Sequence, residues 1–267
     1  MPVITLLTDF GLNDEYVGIM KGVILSVNPS VTIVDITHHV DPHDVFHAAL
    51  LIQSSFRYFP EGTTHIVVVD PGVGSDRAII ALKRFGHVFL APDNGVLTLL
   101  LDEAGNEPVV RVDNQSYFLE SISRTFHGRD IFAPVGAYLS SGMDIKSFGK
   151  AIPQKDLVHL SVEKPYISKA GELIGTVIWI DRFGNLITNI ESGAMNEFCR
   201  SDFTKKCAVI IGSSTIAGLS ESYAGVRSKS PLAIIGSRGY LEVAVNCGNA
   251  GEYFGAAKGD PVKVVLL

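Results

Sequence analysis

The stretch PVITLLTDFG, residues 2–11, decides the fold. It opens with a short apolar run of the kind found in strands buried on both faces, and the run stops at Asp9. That is the pattern of a parallel strand delivering a carboxylate to its C-terminal end, where open α/β sheets bind ligands. VTIVDI at 31–36 and HIVVVD at 65–70 repeat it, the latter ending on Asp70. Helices are expected between them. The first starts near Asn13 with Tyr16, Met20, Val23, Ile24 and Val27 as its apolar stripe. The second has Asp41 and Pro42 as N-cap and first residue, runs to about Tyr58, and turns His43 and His47 away from the core. Shorter strands follow around 78–83 and 87–91, then a turn at 92–95, a helix in VLTLLLDEAG (96–105) and a last helix over 128–142.

From about 143 to 171 the pattern weakens into a polar connection holding Pro153, Pro165 and Gly171. Beyond it come short β-branched runs at 175–181, 185–190, 207–212, 231–236, 240–245 and 261–267, separated by Gly, Ser and Asn. Such spacing predicts a small antiparallel barrel or sandwich. The expected architecture is an α/β domain with a central, mostly parallel sheet over 1–165 and a smaller all-β domain over 166–267.

Composition narrows the function. The 267 residues are 46% hydrophobic and 19% charged, which excludes disorder. Lys and Arg total 22 against 28 Asp and Glu, a net charge of −6. That is the wrong sign for tracking phosphates, so no nucleic-acid partner is expected. Cys199, Cys207 and Cys247 fit neither a zinc site nor a disulfide framework and read as reduced thiols. The N-terminus lacks a basic segment and meets Asp9 before signal-peptide length. No run approaches the ~20 apolar residues of a membrane span. The expectation is a soluble, cytoplasmic protein without a membrane partner.

Several constellations carry polar chemistry. In DPGVGSDR (70–77) a strand-end aspartate enters a Gly-rich turn and Arg77 follows seven residues on, either as one side of a cleft or as an ordinary ion pair. In TFHGRD (125–130) His127 stands at a helix start, where free N–H groups favour an anion or polarised water. His38, His39, Asp41, His43, Asp44 and His47 form a cluster with the His43/His47 spacing of a zincin motif, but Asp44 stands where Glu would be. Asp181 to Asn185 with Thr188 and Asn189, and Ser237 to Glu242 with Asn246 and Asn249, place polar groups beside Gly at strand ends. With Tyr223 they read as a purine slot or as plain turn chemistry.

Taken together, TDFG (8–11), DPGVGSDR (70–77), PDNG (92–95), TFHGRDIFAP (125–134), DRFGNLITNI (181–190) and SRGYLEVAVNCGNA (237–250) closely resemble the S-adenosylmethionine (SAM) hydrolases, or SAM hydroxide adenosyltransferases, relatives of fluorinase and chlorinase. The resemblance implies an N-terminal α/β domain, a C-terminal β-barrel, and a homotrimer with sites between neighbouring subunits. It implies hydrolysis of SAM to adenosine and L-methionine, SAM being substrate, with no cofactor and no metal. Asp70, Arg77 and His127 would be the catalytic triad, which fluorinase and chlorinase lack. Asp9 would hold the ribose hydroxyls, with Asp70 and Phe126 also against substrate. Asn185, Tyr223, Ser237, Arg238, Glu242 and, through its backbone, Val245 would take adenine and the methionine amino and carboxylate groups. A sulfonium leaves as a neutral thioether, so displacement at C5′ needs an oriented, desolvated nucleophile rather than a general acid. Whether Asp70 or His127 is the base stays open at this level. The alternatives are a halogenase of the same family, a non-catalytic SAM or adenosine sensor, and a metal-dependent hydrolase built on the histidine cluster.

Overall fold

The computed structural model describes residues 1–101, 108–199 and 207–267. The chain divides into two compact units, Met1–Ser161 and Val162–Leu267.

The first unit runs β1 (Val3–Thr8), α1 (Tyr16–Val27), β2 (Thr32–Thr37), α2 (Val45–Ser55), β3 (Thr64–Val68), β4 (Ile79–Arg84), β5 (His87–Pro92), β6 (Val109–Val112), α3 (Ala133–Ser140) and β7 (Gly149–Ile152). Its sheet has the order β2-β1-β3-β5-β4-β6-β7. β2, β1, β3 and β5 pair in parallel, whereas the β5–β4, β4–β6 and β6–β7 pairs are antiparallel. The sheet is therefore mixed, where the apolar runs predicted it mostly parallel. The turn at Phe85 and Gly86 explains the difference: both residues have positive φ (53° and 78°), the geometry of a tight hairpin, so β5 folds straight back on β4.

Alternation along the strands gives the sheet two covered faces. Ile4, Leu6, Ile66, Val68 and Leu90 pack with Met20 and Ile24 of α1 and Val135 and Leu139 of α3. Leu7, Val67, Val69, Phe89 and Ala91 pack on the other side with Ala48 and Ile52 of α2. Strands buried on both faces read as continuous apolar runs, and these do.

Several local expectations change. α1 begins at Tyr16 behind Glu15 instead of at Asn13. α2 begins at Val45, because the Asp44 side chain accepts the His47 N–H (2.9 Å) and so takes the N-cap position expected of Asp41. His47, expected to face away from the core, is 7% exposed in the first turn of this helix, although Ala48, Ala49 and Ile52 keep the core face expected of them. The helix expected over 96–105 is, among the described residues, a short 3₁₀ turn at Thr98–Leu100, and residues 102–105 fall outside them. β7 lies in what reads as a polar connection, because the edge of the sheet accepts a four-residue strand whose two middle residues, Lys150 and Ala151, are exposed.

The second unit contains β8 (Tyr166–Ile167), β9 (Leu173–Ile180), β10 (Leu186–Glu191), α4 (Ser192–Phe198), β11 (Cys207–Ile211), β12 (Ser214–Ala217), β13 (Pro231–Ile235), β14 (Tyr240–Val245), α5 (Ala250–Phe254) and β15 (Pro261–Leu266). The order is β12-β11-β15-β9-β10-β14-β13, antiparallel throughout, with β8 added on β9. β9 pairs with β15 through its first half and with β10 through its second. The Ser220 N–H, just past β12, donates to Ala233 of β13 at 2.8 Å, so the sheet's two ends meet and the barrel is nearly closed. Its interior is a separate core that includes Leu186, Ile190, Met195, Val209, Leu241 and Val264. No helix among the described residues is long and apolar enough to cross a membrane.

One feature of the first core makes stability depend on pH. His65 is fully buried between Thr5 (Oγ1 to Nδ1, 2.7 Å) and His87 (Nε2 to Nδ1, 3.2 Å). Burial, reinforced by the charge His87 would carry, pushes the His65 pKa down from 6.5 to about 3. Between these values the unfolded chain binds the proton and the folded one does not, so stability falls as pH falls. Denaturant midpoints measured from pH 7 to pH 4 are expected to drop with acidity, and His65→Gln is expected to flatten that drop; equal slopes would contradict the assignment.

Candidate active site

The register Thr8↔Val68 between parallel β1 and β3 makes Asp9 and Asp70 leave neighbouring strands at the same edge of the sheet. β1 sits between β2 and β3, and α1 and α2 cover opposite faces. The gap between the C-terminal ends of β1 and β3 is thus the topological switch point, the crevice where such sheets bind ligands. The Asp9 carboxylate accepts the His43 N–H at 3.0 Å, holding the loop before α2 across this edge.

Asp70 is bound to Arg77. The Arg77 Nε donates to both carboxylate oxygens (3.0 and 2.9 Å) and Nη2 to Oδ2 at 2.5 Å. The two side chains are 4% and 10% exposed, so the pair is desolvated, and such a pair is held by its hydrogen-bond geometry. The turn between them passes close to the His127 segment. Gly74 has φ +79°, and a Cβ there would stand 2.3 Å from the Arg124 carbonyl oxygen, so only glycine permits this approach.

The same Arg77 Nη2 reaches His127 Nδ1 at 2.9 Å. A guanidinium can only donate, so Nδ1 presents its lone pair and a neutral imidazole carries its proton on Nε2. Burial first, and the Arg77 charge second, hold His127 below its usual pKa, opposed by the charges of Asp70 and Asp130 and by the Ser123 backbone. His127 stands at the N-cap position of a π-helical turn, Gly128–Phe132, that leads into α3, with its ring left free of the capping role. Beside it Phe126 packs edge-on against Tyr16 (5.1 Å between centroids) and Phe10 (6.0 Å), with Arg129 over its face. Arg77 and His127 line a cleft of about 490 Å³ with Asp76, Arg111, Asp113 and Gln115.

The histidine cluster does not assemble as the spacing suggested. His43 lies ahead of α2 in the left-handed region (φ 68°), so it is not one turn below His47 on a shared helix. His38 bonds Thr8 and Asp35. Asp41, Asp44 and His47 do lie within 4.8 Å of one another, but Asp44 is occupied as the helix cap.

In the second unit Asn185, Tyr223, Ser237, Arg238, Glu242 and Val245 line one cleft of about 580 Å³. Asp181 organises its rim: Oδ1 accepts the Phe183 and Asn185 N–H groups (2.9 Å each) and Oδ2 the Asn185 side chain (3.0 Å). The Tyr223 hydroxyl donates to Glu242 Oε2 at 2.9 Å. Glu242 is 5% exposed, and burial raises its pKa; burial and this bond to Glu242 push the Tyr223 hydroxyl up to about 12. The carboxylate occupies the space above Gly236, where a Cβ would stand 1.8 Å from Oε1. Arg238 lies 4.4 Å over the Trp179 ring.

Not every polar residue of these motifs faces the cleft. Thr188 and Asn189 join strands through Leu241, Thr176 and Glu163, and Asn249 caps α5. Phe183 and Asn246, within the constellations read from the sequence, do line it, joined by Cys247 and Gly248, which only their adjacency to Asn246 marked.

Glu242→Gln keeps the hydrogen-bond acceptor for Tyr223 and removes its charge. Alkaline titration of tyrosine absorbance is expected to show one tyrosine titrating at lower pH than in the parent; superimposable curves would contradict the coupling.

Comparison with known proteins gives these residues a context. Family models for the SAM hydroxide adenosyltransferase N-terminal and C-terminal domains match residues 4–149 and 175–263. The chain is 34% identical to an (R)-S-adenosyl-L-methionine hydrolase of Thermus thermophilus, over 97% of this chain and 98% of that one. It is 30% identical to a fluorinase of Actinoplanes sp., over 92% and 91%. A crystal structure of an uncharacterized conserved protein from Thermotoga maritima superposes with a TM-score of 0.90 at 36% identity, covering 98% of this chain and 99% of that one. With both domain models matched in order along nearly the whole sequence, the chain belongs to the SAM hydroxide adenosyltransferase family.

Proposed function

We propose that this protein hydrolyses S-adenosyl-L-methionine to adenosine and L-methionine by attack of water at C5′ of the ribose. The observation that carries the reading is the hydrogen-bonded chain Asp70–Arg77–His127 at the switch point of the first unit. It is supported by family membership and by relatives named as SAM hydrolases.

The residues divide the work as follows. Arg77 fixes the Asp70 carboxylate, whose remaining lone pairs accept from water. His127, its Nδ1 accepting from Arg77 and its Nε2–H turned to the Ser123 backbone, has no free lone pair to act as base, so it steadies the Arg77–Asp70 pair beside the oxygen and Asp70 takes the proton. As the C5′–O bond forms, the C5′–S electrons pass to sulfur, which leaves as the neutral thioether of methionine, and one proton is released to solvent. Holding the oxygen in line with the C5′–S bond is the main task. Asp9 takes the ribose hydroxyls and Phe126 lies against the substrate. Asn185, Tyr223, Ser237, Arg238, Glu242 and Val245 take the adenine and the amino-acid end. The acidic balance of the chain suits a cationic sulfonium. We propose a homotrimer on the same resemblance.

The intact triad favours water over halide as nucleophile. The L descriptor in the relatives' names fixes the α-carbon, which leaves the sulfonium as the centre called (R). The test is incubation with each sulfur epimer of SAM and chromatography of the products. Adenosine and methionine are expected in equal amounts, unaffected by a chelator, with the (R) epimer preferred. Asp70→Asn is expected to lower kcat by about 10²–10⁴-fold. A 5′-halo-5′-deoxyadenosine product, dependence on a divalent metal, or binding without turnover would overturn the reading.

A further inference from the structure

Asp130 has no solvent exposure, and nothing in the chemistry above uses it. Its carboxylate is fully engaged: Oδ2 accepts the Ser123 N–H at 2.7 Å and Arg129 Nη2 at 3.1 Å, and Oδ1 accepts Arg129 Nε at 2.6 Å. Its carbonyl accepts the Leu119 N–H at 2.9 Å. These bonds tie the segment 119–123 to the start of the π-helical turn and close the loop that carries Phe126 and His127. Inside the loop the N–H groups of Arg129 and Asp130 both reach the Phe126 carbonyl at 3.2 Å. His127 therefore stands between two pinned points, with only its ring reaching out to Arg77.

We infer that Asp130 is a positioning residue for His127, its buried carboxylate clasping the Ser123–Asp130 loop so that the imidazole meets Arg77. The inference rests on the reading of His127 as part of the reacting site. A neutral side-chain oxygen would accept from Ser123 equally well and would spare the desolvation of a carboxylate. What the charge adds is the paired grip on the Arg129 guanidinium and, beyond that pair, a field at the imidazole. The groups around that ring are Arg77 and Asp70 from the β3–β4 turn, the Ser123 backbone, and Asp130 with its ion-pair partner Arg129 from its own turn, with Asp76, Arg111 and Asp113 lining the shared cleft. Asp130 opposes the effect of Arg77 on His127, keeping the ring closer to its ordinary proton affinity than burial beside a guanidinium would leave it.

The experiment uses the full chain with Asp130→Asn and Asp130→Glu. The His127 ring is followed by NMR titration, assigned by loss of its resonance in His127→Asn, and SAM turnover is measured against pH. In Asp130→Asn one oxygen still accepts from Ser123 while the charge is gone. The His127 titration and the acidic limb of kcat are both expected to move to lower pH by the same interval. At its optimum kcat is expected to fall by about ten- to a hundredfold, as for a misplaced reacting group, with KM near the parent value. Asp130→Glu is expected to restore the titration and part of kcat, and it carries the test if the Asn variant does not fold. A folded Asp130→Asn variant with the parent titration and pH profile would overturn the inference. A parent protein that does not turn over SAM would instead overturn the functional reading, and the ring titration would still decide the role of Asp130.

Discussion

The ion pair between Asp70 and Arg77 is the interaction on which the rest of the site depends. A carboxylate that is 4% exposed is tolerated only with a full set of donors, and one guanidinium supplies them while extending a further N–H to His127. Removing one partner of such a buried pair leaves an uncompensated charge, at a cost of about 3–5 kcal/mol. The local design follows from this constraint. The turn from Asp70 to Arg77 must be tight, Gly74 must pass the Arg124 carbonyl without a side chain, and Phe132 lies beneath the guanidinium at 5.9 Å. The His127 tautomer is a consequence too, since a donor-only neighbour obliges Nδ1 to accept.

The first unit's sheet supplies rigidity where the chemistry needs it. Asp9 and Asp70 each follow a strand with both faces covered, so the two carboxylates are placed by cores that have nothing to do with catalysis. The groups proposed to react lie on loops outside the sheet, Asp70 just past β3, Arg77 just before β4 and His127 at the start of the turn into α3, where backbone can approach a ligand. The second unit solves a similar problem with a different scaffold. Its nearly closed antiparallel sheet turns strand ends and intervening loops into a cleft in which Asp181 ties the rim and Gly236 makes room for Glu242. The protein thus grafts polar groups onto two independent cores, and the function is argued from those groups rather than from either fold.

Much of this was legible in the chain itself, for identifiable reasons. Apolar runs ending in Asp9 and Asp70 announce strands buried on both faces and carboxylates at their ends, because period-2 geometry leaves no solvent-facing side in such a sheet. The strand runs of the second unit were equally plain. Strand direction was not, because an apolar run looks the same in a parallel and an antiparallel pair; the hairpin at Phe85 and Gly86, with an aromatic residue in the left-handed region, hides its turn chemistry. The burial of His47 was hidden for a related reason: Asp41 and Asp44 are both competent caps, and starting the helix at the second leaves His43 outside it and sets His47 in the first turn beside both carboxylates, while Ala48 and Ile52 keep their core face.

The sequence by itself determined the two-unit organisation, the strand-end aspartates and the motifs that bring this chain into its family, since these depend on local pattern and residue order. Tertiary structure alone decided that one guanidinium joins Asp70 to His127, that Asp181 orders the rim of the second cleft, and that Asp130 is buried beneath the loop that presents His127. Each of these is a hydrogen bond or burial set by how the chain packs, with partners up to fifty residues apart, and no periodicity along the chain encodes it.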